Sequence, residues 1–321
     1  MTMEQRPENM TPRRYKVVHR TTYTYNQPVT GCYERGMLAP RPTSSQSIVE
    51  AGFTVEPAAH FSHEHTDYFG NLTHYLEVPT HHSTLEITKT FLVDVAWPEI
   101  SLAHLDQWTV GEAADLIAAN RDMAIGRALF LLDSAKVASG EDVAEYAREK
   151  LPEDRPLGQA LTALTVGIRD DFEYKPGSTT TRTTLTELLA RRQGVCQDFA
   201  HLAIGCLRHV GLPAAYVSGY IETAPPPGKP KLQGSDATHA WTSVLTPDHV
   251  WVDIDPTNAH FADSRYIVNG WGRDYQDVSP LKGVIFTEST SSNLTVGVDV
   301  LRLDDPNVPL PEWAVEDEPV S

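Results

Sequence analysis

The sequence predicts an α+β protein in three parts: an N-terminal antiparallel β domain over 14–100, a helical bridge over 101–151, and a C-terminal core of helices and strands over 152–303, followed by an acidic tail over 304–321. Three observations predict it. Apolar residues alternate at period two through the first part, and Ala, Leu and Glu dominate the second. In the third part helical stripes give way to short apolar strands.

In the first part Tyr15, Val17, His19, Thr21, Tyr23 and Tyr25 alternate with their neighbours, and Leu85, Ile87, Phe91, Val93 and Val95 fall on one face of a second strand. Turn chemistry separates the runs at Asn26-Gln27-Pro28, Pro40-Arg41-Pro42, Glu56-Pro57 and Gly70-Asn71. The bridge has helix-forming composition over 110–133 and 141–151, and a helical stripe follows through Leu157, Leu161, Leu164 and Ile168. A short helix over 184–192 has Thr184 as N-cap and Glu187 three residues on, the signature of a capping box. After Gly194 a further helix opens at Cys196. Phe199, Leu202, Ala203, Cys206, Leu207 and Val210 form its apolar stripe, and Gly211-Leu212-Pro213 ends it. Strands over 214–221, 238–245 and 249–254 complete the core.

Composition narrows the function classes. The 321 residues carry 26 Lys and Arg against 43 Asp and Glu, a formal charge of −17. That excess repels polyphosphate, so neither nucleic acid nor an anionic membrane surface is an expected partner. No apolar run approaches the roughly 18 residues of a membrane-spanning helix, and residues 1–14 lack a signal-peptide core. Three scattered cysteines, Cys32, Cys196 and Cys206, read as free thiols in a reducing compartment. The expectation is a cytoplasmic protein. The histidines at 60, 63, 65, 74, 81 and 82 read as solvated side chains, so neither metal nor cofactor is expected.

The chemistry is expected at Cys196, His239 and Asp255. Cys196 stands at a helix N-terminus, where unsatisfied amides and the dipole favour a thiolate and can also receive an oxyanion. If 246–248 form a three-residue turn, Leu245 pairs with His249, and His239 then falls opposite Asp255 across a hairpin ladder. The carboxylate would fix the imidazole tautomer, leaving the other ring nitrogen for Cys196. A one-residue slip would part the two side chains. Gln197, Trp241, Arg273 and Tyr275 are candidate substrate-binding residues. The interruption over 222–237, rich in Pro and Gly, is either a loop over the cleft or a tolerated insertion.

The residues around this constellation carry a resemblance. Gly194-Val195-Cys196-Gln197-Asp198-Phe199-Ala200-His201-Leu202, His239-Ala240-Trp241, Asp255-Pro256-Thr257-Asn258 and Gly272-Arg273-Asp274-Tyr275 resemble the transglutaminase-like superfamily, in its bacterial branch of cysteine-peptidase-like proteins. Tyr23-Thr24-Tyr25, Pro40-Arg41 and 67–71 resemble the β domain that accompanies it. The resemblance implies a papain-like, transglutaminase-like core with Cys196 as nucleophile, His239 as base and Asp255 as the orienting acid. It further implies a cysteine-dependent hydrolase of amide, peptide or isopeptide bonds acting on a protein or peptide. The alternatives are protein-glutamine acyl transfer, which animal members perform with a tryptophan where Gln197 follows the nucleophile here, and an idle binding scaffold.

Overall fold

The computed structural model describes residues 3, 5–121, 127–223, 236, 238–287 and 291–303. Most of the interruption over 222–237, and the tail over 304–321, lie outside them.

The first sheet is built on β1 (Arg13–Gly36), which follows a short helix, α1 (Pro7–Met10). With β2 (Gln46–Glu56), β3 (Phe61–Thr66), β4 (Leu72–Val78) and β5 (His82–Val95) it gives the antiparallel order β2-β5-β1-β4-β3. The expected break at Asn26-Gln27-Pro28 does not end β1. The strand continues through it, and the missing proline N–H shows as a register irregularity against β5 between Thr24 and Val29. The inward face of β5 follows the predicted alternation, and that alternation also places Lys89 inside, 4% exposed. Its ammonium donates to the Met37 carbonyl at 3.0 Å, and burial pushes its pKa down to about 7.

Helices α2 (Leu102–Leu105), α3 (Val110–Ala119), α4 (Glu141–Lys150), α5 (Leu157–Asp171) and α6 (Leu185–Arg191) follow, with a 3-10 turn at Ala128–Phe130. The capping box is formed: Thr184 Oγ1 accepts the Glu187 amide at 3.2 Å, and the Glu187 carboxylate accepts the Thr184 amide at 2.9 Å. Two short parallel strands, β6 (Glu173–Tyr174) and β7 (Gln193–Gly194), lead into α7 (Cys196–His209). The bridge does not stand apart. Val110, Ile117, Val143, Tyr146 and Leu151 share one core with the α7 stripe.

The second sheet comprises β8 (Ala214–Ile221), β9 (Thr238–Leu245), β10 (Trp251–Asp255), β11 (His260–Phe261) and β12 (Tyr266–Gly272), in the antiparallel order β11-β10-β9-β8-β12. Ala240, Val244, Val252 and Ile254 present its apolar face to α7. Tyr220 and Ile267 meet Tyr15, Val17, Phe91 and Val93 of the first sheet in a separate cluster. The last strands, β13 (Leu281–Thr287) and β14 (Ser292–Arg302), were grouped by sequence with the C-terminal core. They pair instead with opposite ends of β1, because a 24-residue strand leaves long stretches of backbone donors and acceptors that β4 and β5 do not fill.

One close approach lies within the second sheet, where β9 and β12 flank β8. Gly219 of β8 lies opposite His239 of β9, and a Cβ there would run into the Ile267 carbonyl and lie 2.6 Å from the Trp241 ring. Gly219→Ala is expected to cost about 3 kcal/mol or more, since backbone cannot yield as a side-chain tip can. Urea denaturation measures it, and a loss below about 0.5 kcal/mol would contradict the packing described.

Candidate active site

Cys196 is the first residue of α7 and is half-buried. The helix start is held from outside. Lys175 donates its amide to the Gly194 carbonyl at 2.9 Å, and Thr179 donates its hydroxyl to Asp198 at 2.6 Å. The Asp198 carboxylate also accepts the Val195 amide at 2.9 Å, so this N3 side chain caps its own helix. The amides of Cys196 and Gln197 head the helix with no carbonyl one turn earlier to meet them, and they point ahead of the first turn. Half-exposed Tyr174 borders the same space: burial raises its phenol pKa, and the charges of Cys196 and Asp255 raise it further.

His239 and Asp255 meet, although not by the expected pairing. The turn sits one residue later, over 247–249, with Thr246 donating its amide to Val250 at 2.9 Å and His249 in the left-handed region at φ 67°. Pro247 suits the position after Thr246 because its φ is already fixed, and His is among the residues that tolerate positive φ. Trp251 therefore pairs with Leu245, and Ile254 with Thr242. The ladder is displaced by two residues. An even shift preserves the face, so the two side chains remain together as diagonal neighbours within reach. His239 Nε2 lies 2.7 Å from Asp255 Oδ2, which leaves Nδ1 for the Cys196 thiol, within hydrogen-bonding reach of the ring.

The carboxylate is fully buried and saturated with donors. Besides the imidazole, Asp255 accepts the Tyr266 hydroxyl at 2.5 Å, the Asn258 side-chain amide at 2.7 Å, and the backbone amides of Thr257 and Asn258 at 2.8 and 3.2 Å. Burial opposes its charge, but His239 and Tyr266 outweigh that and hold its pKa well below the usual carboxylate range. Burial likewise opposes a charge on His239. The attraction of Asp255 and its hydrogen bond prevail, and with Cys196 they raise the imidazole to about 10.

A folded pKa above the unfolded value near 6.5 stabilises the native state fully below about pH 6.5, and this contribution is lost as pH rises toward the folded value. The stability advantage of the parent over His239→Gln should therefore shrink steadily from about pH 6.5 to 10. Urea unfolding of both proteins at several pH values reads it directly. An advantage that grows with pH would contradict the raised imidazole.

The remaining sequence candidates divide. Trp241 is 0% exposed and cannot touch a substrate; its indole N–H donates to Asp253 at 2.7 Å while its ring stacks on His239 at a centroid distance of 6.1 Å. Residues at i and i+2 of a strand share a face, which is why the residue two beyond His239 supports the imidazole. Arg273 is committed to Asp277, which it meets at 2.8 and 3.0 Å, and its role is that of a structural ion pair. Tyr275 is half-buried beside Tyr216, whose phenol feels the Cys196 charge, and its amide donates to His201 Nε2 at 3.1 Å. Gln197 is half-buried next to the thiol. His201 lies inside the core, where burial lowers its pKa to about 3 and keeps the ring neutral. Tyr266, Asn258, Thr179 and Asp198 were not singled out from the sequence. Only Asp198, three residues after the residue preceding Cys196, had a readable capping position. Among the described residues no group of three or more His, Cys, Asp and Glu is placed to hold a metal ion.

Comparison with known proteins accounts for both halves. Residues 15–94 match the bacterial transglutaminase-like N-terminal region, and residues 144–256 match the transglutaminase-like superfamily. An uncharacterized protein of Mycobacterium tuberculosis is 45% identical over 298 residues, covering 91% of this chain and 93% of that one. The chain belongs to the transglutaminase-like superfamily. This transglutaminase-like protein shares its fold with a crystal structure described as a candidate cysteine protease from Cytophaga hutchinsonii, at a TM-score of 0.72 and 22% identity, over 92% of this chain and 93% of that one. A protein-glutamine gamma-glutamyltransferase of Pseudomonas aeruginosa is 29% identical over 119 residues, 35% of this chain and 18% of that one.

Proposed function

We propose that this transglutaminase-like protein is a cysteine-dependent hydrolase of amide, peptide or isopeptide bonds, with a protein or peptide as substrate. The observation that carries the reading is the His239 ring, set between the saturated Asp255 carboxylate and the Cys196 thiol. At neutral pH His239 is the imidazolium, its Nδ1 already holding the proton of the Cys196 sulfhydryl, and the sulfur attacks the carbonyl carbon as the anion. The resulting oxyanion faces the amides of Cys196 and Gln197. The imidazolium returns the proton to the leaving amine, the C–N bond breaks, and the acyl group remains on sulfur as a thioester. Water then attacks the thioester, the now neutral His239 takes its proton, and the acid departs as the sulfur anion and the imidazolium are restored. Asp255 stays ionised throughout and holds the ring by Nε2.

Acyl transfer to an amine is the second reading, favoured by the name of the Pseudomonas relative. Incubating the protein with casein-derived peptides and a fluorescent primary amine in oxygen-18 water separates the two. Hydrolysis places the heavy oxygen in new carboxylates without amine incorporation, whereas acyl transfer labels the peptides with the amine. Mass spectrometry of iodoacetamide-treated protein covers the idle scaffold. Cys196 should react at least about tenfold faster than Cys32 and Cys206, and equal slow rates at all three would remove the enzyme reading.

A further inference from the structure

His239, Trp241 and Ser243 share one face of β9, and four residues beyond His239, about 13 Å at the rise of a strand, that face opens into a cavity of about 290 Å³. All three parts of the chain wall it: Trp97 from the end of the first, Phe130 from the bridge, and Trp251 and Trp271 from the second sheet. Asp253 is among the lining residues and is only 9% exposed. The carboxylate accepts the Trp241 indole N–H and the Ser243 hydroxyl, both neutral donors, and among the described residues no Lys, Arg or His pairs with it. Burial pushes its pKa up to about 6, which leaves it ionised at neutral pH.

A desolvated carboxylate without a counter-charge is costly, and the aromatic faces around it carry quadrupoles that attract cations. One cation already uses this wall. The guanidinium of exposed Arg127 lies 5.6 Å from the centroid of Trp251, at the rim of the cavity. The chemistry proposed at Cys196 uses none of these groups.

We propose that this cavity is a binding site for a small organic amine, its ammonium seated on Asp253 and its apolar body held between Trp97, Phe130, Trp251 and Trp271. A cavity near the lower end of the range for small-molecule sites suits a single ring with a short aminoalkyl arm.

The test titrates phenethylamine into the full chain at neutral pH, followed by tryptophan fluorescence and calorimetry. Phenethyl alcohol, of similar shape and no charge, is the control. Saturable binding of the amine at least about tenfold tighter than the alcohol is expected. Asp253→Asn should weaken the amine by about tenfold or more and leave the alcohol unchanged. Arg127→Glu, on the exposed rim, should tighten the amine about threefold by exchanging a repelling charge for an attracting one. Equal binding of amine and alcohol by the parent protein overturns the proposal without any variant. Undiminished amine binding by Asp253→Asn, or indifference to Arg127→Glu, overturns it as well.

Discussion

Cys196→Ala is expected to lower amide turnover by at least about 10⁴-fold, while the thermal midpoint stays within about 2 °C of the parent. The loss is large because no other group stands where the sulfur does. Cys206 is fully buried in the middle of α7, where burial suppresses its thiolate, and Cys32 is 1% exposed in the first sheet with its pKa pushed up to about 11 by burial and by Glu34. The fold should tolerate the change, because alanine is a good helix former and the helix start is held by Asp198, Thr179 and Gly194 rather than by the thiol. Turnover retained in this variant would end the proposed mechanism. Turnover lost together with the cooperative unfolding transition would mean only that the protein no longer folds, so both measurements belong in one experiment.

Asp255→Asn should cost about as much in turnover, roughly 10⁴-fold, for a different reason. The side chain keeps its shape, but one oxygen becomes an amide nitrogen that can donate and cannot accept. Five donors now converge on this carboxylate, three of them on Oδ2 alone, and an amide cannot serve them all. The imidazole loses the acceptor that fixes its tautomer and the charge that holds its pKa up. Alkylation of Cys196 by iodoacetamide gives a readout that needs no substrate, and its rate at neutral pH should fall by at least about tenfold. An unchanged rate would show that Asp255 acts only in packing. Tyr266→Phe removes one donor and leaves the others, so its effect should be a small fraction of the Asp255→Asn loss.

Much of the architecture was legible because local chemistry and global fold agree. The capping box at Thr184 and Glu187, the stripe on α7 and its stop at Gly211 each identify an element from neighbouring residues alone. The relation of His239 to Asp255 was legible in parity but not in register. The turn slid by one residue, and the resulting two-residue displacement left both side chains on one face. What escaped was the set of supports supplied from elsewhere in the chain. Tyr266 arrives on β12 and Asn258 from the turn after β10, and neither carries a local signal that it will meet a carboxylate. Trp241 was misassigned because an aromatic residue near a candidate base fits a cleft wall as well as a buried brace. Lys89 was the readable omission: it occupies the inward position between Ile87 and Phe91, where the alternation demands burial whatever the residue type.

The partnership of β1 with β13 and β14 has a consequence for how the protein is made. A ribosome adding about 5 to 20 residues per second needs roughly 13 to 50 seconds between the emergence of β1 and that of its last partner. Through that interval Tyr15, Val17 and their neighbours present open backbone and apolar side chains to other nascent chains. The first strand synthesised is therefore the one most exposed to misassembly. Truncation before residue 281 leaves that edge permanently uncovered, whether or not Cys196, His239 and Asp255 have already met.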